Sequence, residues 1–398
     1  MDNVTHALAG LVLAEATVAV RRARGEAPNE SFRRAALIAG LVAAELPDAD
    51  LLYAGHAGTG RLGYLLHHRG HTHTVVIGAL LALLVWGVTA LATRRRSAPN
   101  DNRWLLALCL TATLVGHLAL DWTNNYGVHP FWPVDDRWYY GDAVFIVEPW
   151  LWVVSIPPLL LLARSAAMRV LLGLLLLVVL GAAWSVPMVE RGTATALASG
   201  ALAWTLLAAL TPAPRRAALA GVAWVAVELT FLAASQSARS AVRDAVGPTL
   251  VDAALTPAVG DPTCFTLLAV ERDGATYRVS AATVAPWPHL RRAEWCPTRG
   301  TSRGLGPPTR PATNAVLWTE SWSAPVMELA ALARDNCDVA AALRFVRVPV
   351  WARAGGTIEL WDARFGRGGF AGVVTTDRPN PCPRNVPPWT PPRAALLR

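Results

Sequence analysis

Apolar residues in this chain are segregated rather than spread. Before residue 236 they run in blocks of about 16 to 20, the length a helix needs to cross the hydrocarbon core of a bilayer. Inside lipid every backbone N–H and C=O must be satisfied within the segment, so such blocks are expected to be helices. Eight blocks qualify: 5–20, 35–54, 74–93, 104–122, 147–163, 169–187, 194–211 and 217–235. The first two are the weakest, being Ala-rich and carrying Glu15 and Glu45. With 53% hydrophobic and 16% charged residues, the whole chain is too poor in charge for a soluble enzyme of this size. No cleavable leader is expected, because MDNVTHALAGLVLAEA lacks a basic start and a small-residue cleavage site.

The net charge is +8 and every basic residue is arginine. Nucleic-acid binding is not expected, since that calls for a clustered basic face with groove-reading or stacking elements. The arginines lie instead in short connections between apolar blocks, where they report topology. Arg21, Arg22, Arg24, Arg33, Arg34, Arg94, Arg95, Arg96, Arg103, Arg164, Arg169, Arg215 and Arg216 fall on one side. Arg61, Arg69, Arg137 and Arg191 fall on the other. Thirteen against four puts the richer side in the cytoplasm. The 55–73 and 123–146 loops, and everything after 236, then face outward from a bacterial inner membrane.

The expected fold is an α-helical polytopic membrane bundle of about eight spans, residues 1–238, followed by an extracytoplasmic α+β domain, residues 239–398. In the second part TLLAVERDGATYRVSAATV reads as two strands joined at Asp273–Gly274. APVMELAALARDN reads as a short amphipathic helix, and FVRVPVWARAGGTIELWDARFG as two strands around Gly355–Gly356. The tail NPCPRNVPPWTPPRAALLR is Pro-rich and expected to be extended. Cys109 lies in a span. Cys264, Cys296, Cys337 and Cys382 fall in the outer part, where an oxidising compartment permits two disulfides of undetermined pairing.

Eight of the nine histidines precede residue 130 and map near the outer surface: His6, His56, His67, His68, His71, His73, His117 and His129. Carboxylates accompany them. Asp2 and His6 are four apart, as are His117 and Asp121, so each pair shares a helix face. LPDAD places Asp48 and Asp50 at the end of the second block, and Glu148 opens the fifth. Ionisable groups at membrane depth are costly and normally paired. A shared divalent metal would relieve that cost, and imidazole with carboxylate suits zinc first, then manganese or iron. Taken singly each residue has a plainer role: an interfacial histidine, a helix-capping Asp2, a turn around Pro47, a solvated Arg69. Their coincidence at one depth favours a common site. Beside a metal, Arg69 would hold an anionic substrate group and Thr72 would orient a histidine. The tryptophans around the outer loop, from Trp122 to Trp152, read as an interfacial belt.

MDNVTHALAG, LPDAD, HHRGHTHT and HLALDWTNNYG, in this order, resemble the YdjM-type bacterial inner-membrane proteins known as membrane-bound metal-dependent hydrolases. The resemblance covers about residues 1–150. It implies functional positions at Asp2, Thr5 and His6; at Asp48 and Asp50; at His68, Arg69, Thr72 and His71 or His73; and at His117 and Asp121. Four histidines crowd the third motif, which leaves its ligands undetermined. The functional expectation is a hydrolase acting on a lipid or lipid-linked ester or phosphoester. Asp2, His6, His68, His71, His73, His117 and Asp121 would supply the metal ligands. Asp48 or Asp50 would be a further ligand or general base, and Arg69 the anion holder. Membrane lipids are the expected partners. The rival expectations are a non-enzymatic protein that binds or transports a metal or haem, and a membrane anchor for the outer domain.

Overall fold

The computed structural model describes residues 1–55, 62–95, 98, 100–297, 304–376 and 382–397. His56, Arg61 and Arg96 lie outside the described residues. Numbering the helices of ten or more residues, the bundle contains α1 (Asn3–Ala23), α2 (Glu30–Glu45), α3 (Val75–Thr93) and α4 (Asp101–Thr123). It continues with α5 (Pro149–Leu162), α6 (Ala166–Ser185), α7 (Arg191–Leu210) and α8 (Ala213–Val246). Each of the eight apolar blocks therefore contains a helix. Among the described residues six are long and apolar enough to cross a membrane, all but α2 and α5.

The block 35–54 does not form one span. Pro47 has no N–H, so the ladder of α2 breaks and LPDAD winds into a 3₁₀ turn, Leu46–Asp50. The carbonyl of Ala43, which Pro47 would have served, accepts a hydrogen bond from Thr113 Oγ1 at 2.8 Å. α1 and α2 cross closely: a Cβ on Gly10 would stand 2.4 Å from the carbonyl oxygen of Gly40. That approach sets the start of α1 against the segment that follows α2.

The bundle has two chemically different ends. At one, Arg21 binds Asp101 at 2.7 Å, Arg33 donates to the carbonyl of Leu162 at 3.0 Å, and Arg164 pairs with Glu30. At the other end sits a sheet domain. α8 runs eight residues past the expected boundary at 238, to Val246, and leads into strand β1 (Leu250–Ala258). β1, β2 (Asp261–Asp273), β3 (Thr276–Val284) and β4 (Val316–Pro325) form an antiparallel sheet in that order. α9 (Val326–Asp335) follows. Then β5 (Pro349–Ala354), β6 (Thr357–Asp362) and β7 (Gly372–Thr376) form a second antiparallel sheet. Gly355 and Gly356, at φ +56° and +76°, make the tight β5–β6 turn that needs left-handed backbone at both positions. Disulfides join Cys264 to Cys296 and Cys337 to Cys382, and Cys109 is a buried thiol.

Candidate metal centre

Four segments of the sequence converge where the bundle meets the sheet domain. α1 brings His6 from its first turns. α4 brings His117 and Asp121, with His117 on a π-helical stretch, Leu114–Ala119. Such wide turns re-aim side chains and often accompany functional sites. The other two are the 3₁₀ turn after α2 and the loop before α3. The side chains of His6, His73, His117 and Asp121 have no solvent exposure, and that of Asp48 has 9%.

The ligand atoms of Asp48, His73, His117 and Asp121 lie within 4.8 Å of one another, as do those of Asp48, Asp50 and His68, so Asp48 belongs to both groups. His73 Nε2 is 3.1 Å from Asp121 Oδ2, 3.3 Å from Asp48 Oδ1 and 3.1 Å from His117 Nε2. His6 stacks on His117 with ring centroids 3.8 Å apart, and its Nε2 is 3.5 Å from Asp121 Oδ1.

The outward nitrogens of these rings are fixed. His6 Nδ1 lies 3.0 Å from the carbonyl oxygen of Gly116, and His117 Nδ1 lies 2.5 Å from that of Ala44. A carbonyl only accepts, so each Nδ1 carries the proton and each Nε2 of the neutral ring presents a lone pair to the centre. This is the tautomer that metal-ligating histidines adopt. His6 Nε2 and Asp121 Oδ2 are buried and make no well-aligned hydrogen bond, although Asp121 Oδ2 lies 3.1 Å from His73 Nε2 and His6 Nε2 lies 3.5 Å from Asp121 Oδ1. Orphaned buried atoms are rare unless something else satisfies them. Three carboxylates, Asp48, Asp50 and Asp121, are packed here, opposed by Arg69 and by the amino group of Met1 against Asp121. Burial lowers the His73 imidazole, but Asp121, Asp48 and Asp50 outweigh it and raise the group to about 10. The carboxylates thus favour positive charge at this point. The nitrogen and oxygen donors present fit a divalent metal.

Asp50 organises the loop. Its Oδ1 pairs with His68 Nδ1 at 3.0 Å, while its Oδ2 accepts from the Arg69 N–H at 2.8 Å and from Thr72 Oγ1 at 3.0 Å. Thr72 in turn lies 3.0 Å from His73 Nδ1. Arg69, at φ +58°, folds back into the protein. Its guanidinium is buried, bonds Asp121 Oδ1 at 2.6 Å and Asn124 Oδ1 at 3.1 Å, and lies over the Tyr126 ring.

Two of the expected ligands are placed elsewhere. Asp2 caps α1, accepting from the Thr5 N–H at 3.0 Å. His71 turns away from the centre and packs between Trp132 and Trp389, at centroid distances of 4.7 and 4.8 Å. The 3₁₀ turn explains the split: at three residues per turn His71 and His73 point about 120° apart, and only His73 points inward. Trp389, from the Pro-rich tail, is buried, stacks on His129 at 4.3 Å and donates to the carbonyl of Leu66 at 3.2 Å. Burial in this cage pushes the His129 imidazole down to about 3. Nothing in a Pro-rich tail announces that its one tryptophan packs on His71 and His129, 318 and 260 residues upstream. Asn124 was also unmarked in the sequence.

Residues 1–190 match the family model of the YdjM inner membrane protein. The matched region contains every residue of the centre, and residues 191–398 lie beyond it. None of the curated proteins and none of the solved structures compared with this chain matches it.

Proposed function

We propose that the chain is a membrane-embedded, metal-dependent hydrolase whose His/Asp centre opens to the outer side of the bacterial inner membrane, with the sheet domain extracytoplasmic. The observation that carries this reading is the convergence of inward-facing Nε2 atoms and carboxylates from α1, the two loops and α4 on one buried point. Zinc is the first choice for that donor set, then manganese or iron. Held there, a divalent metal would supply Lewis acidity and the means to activate water near neutral pH.

The protein's own groups divide the work. His73, His117, Asp121 and Asp48 hold the cation, with His6 stacked beside them. Asp50 and Thr72 orient His68 and His73. Arg69 fastens Asp121, a positioning role in place of the anion-holding one expected from sequence. Asp48 is the ligand nearest solvent. Its Oδ2 shares the exposed Asn3 amide with Glu45, so substrate approaches from that side. At this depth the reachable substrate is a lipid or lipid-linked ester or phosphoester.

Full burial of the other ligands favours a second reading, a closed site that holds metal without turnover. One experiment separates the two. Lipid extracts of cells carrying wild-type or His117→Ala protein are compared, with hydrolysis of lipid phosphoesters assayed on the purified proteins. The hydrolase reading expects one lipid class to accumulate in the variant and metal-dependent release of its head group by the wild type. Unchanged lipids and no release by the metal-loaded wild type would leave the closed-site reading standing.

A further inference from the structure

At the arginine-rich end of the bundle, far from the histidine centre, a cavity of about 410 Å³ opens between α1–α2 and α5–α6. Its walls are apolar: Leu11, Leu37, Leu159, Met168 and Leu172. Its rim is cationic. Arg33 is buried and paired with Glu15, while the side chains of Arg34 and Arg164 are 76% and 59% exposed.

The three guanidinium groups converge on one carboxylate. Glu30 lies 3.8 Å from Arg33 and 3.5 Å from Arg34, and pairs closely with Arg164. Three arginines face two carboxylates, so the rim keeps a net positive charge. Two helix N-termini add to it: α2 starts at Glu30, and α6 starts behind Ser165, whose hydroxyl accepts from the Met168 N–H at 3.3 Å. Glu30 therefore occupies a position shaped for an anion, with exposed guanidinium donors left over. The larger cavity beside Trp150 differs in this respect, because its Arg291 is closed off by Asp261 at 2.7 Å and Glu190 at 2.6 Å.

We propose that this cavity binds an anionic phospholipid, with the phosphate at Arg34 and Arg164 and an acyl chain along Leu37, Leu159 and Leu172. A basic rim over apolar walls, between helices at the membrane surface, is the arrangement that recognises such head groups. Guanidinium forks suit phosphate oxygens. A lipid rather than free phosphate is indicated because the walls below the rim are apolar, at Leu11, Leu37, Leu159, Met168 and Leu172. In the topology proposed above the lipid belongs to the cytoplasmic leaflet. The inference stands whether or not the histidine centre is catalytic.

The test is lipid retention by the detergent-purified full chain, counted by native mass spectrometry after exposure to phosphatidylglycerol or phosphatidylcholine, each with and without inorganic phosphate. Phosphatidylglycerol should be retained over phosphatidylcholine and resist competition by phosphate. Arg34→Gln with Arg164→Gln should cut that retention by about tenfold. Met168→Trp, which fills the cavity, should also lower it. Arg94→Gln with Arg95→Gln removes two exposed arginines outside the cavity and should leave retention unchanged. Equal retention of both lipids, displacement by phosphate, or an equal loss in the Arg94/Arg95 variant would overturn the proposal.

Discussion

Two buried, charge-rich clusters lie at the same end of this molecule, and they are built on opposite principles. One joins the sheet domain to the bundle. Arg347 donates to Asp142 at 2.6 and 2.8 Å and to Asp252 at 2.7 Å; Arg239 also pairs with Asp142, and Arg393 with Asp252. Two carboxylates and three guanidinium groups satisfy one another. The Asp142 and Asp252 partners, with burial opposing them, hold Arg347 well above its usual pKa. The other cluster is the histidine centre, where carboxylates crowd together and inward-facing atoms make no well-aligned hydrogen bond. The first needs nothing more and acts as a bolt. The second gathers nitrogen and oxygen donors that could hold a divalent metal. Burial of charge does not by itself mark a site; burial of charge left unsatisfied does.

That contrast breaks most visibly at the bolt. Arg347→Met leaves two acidic side chains short of a partner and should cost about 3–5 kcal/mol. Thermal unfolding and protease sensitivity of the sheet domain would show it, with metal content per folded molecule unchanged. Loss of metal along with the domain would mean the two clusters are one unit. Trp389→Ala removes the roof over His71 and His129 and should cost about 3 kcal/mol, the low end for a buried aromatic. The readouts are tail proteolysis and faster stripping by a chelator; an unchanged stripping rate would show that the tail does not guard the centre. The smallest effect is expected for Asp2→Ala. It deletes an N-cap worth about 1 kcal/mol and should leave the metal in place. Metal loss in that variant would restore Asp2 to the ligand set.

The periodic parts of the fold were legible in the sequence. All eight apolar blocks contain a helix, and the β2–β3 and β5–β6 hairpins turn at Gly274–Ala275, one residue past the expected Asp273–Gly274, and at Gly355–Gly356. Helix lengths were less legible: α5 has 14 residues and α2 has 16, since capping by Glu148 and the break at Pro47 are local events that hydropathy averages over. β1, β4 and β7 carried no turn signal strong enough to find them. In the centre, residue chemistry pointed to His73, His117, Asp121, Asp48 and His6. It could not tell His71 from His73, two residues apart in one tract, because a single turn of backbone decides which faces inward. For Arg69, charge suggested a ligand for an anion; in the fold its guanidinium bonds Asp121, a contact that sequence spacing does not reveal. Trp389 and Arg347 act across the whole length of the chain, and disulfide pairing does likewise; only the tertiary fold contains that information.

The central claim is that distant histidines and carboxylates share one metal. Elemental analysis of the untagged protein, purified in mild detergent, tests it most directly, on wild type, His73→Ala, His117→Ala and His71→Ala. A near-stoichiometric divalent transition metal in wild type and His71→Ala, lost from His73→Ala and His117→Ala, is the predicted result. A wild type that stays empty after reconstitution, or metal retained in both the His73→Ala and His117→Ala proteins, would contradict the account.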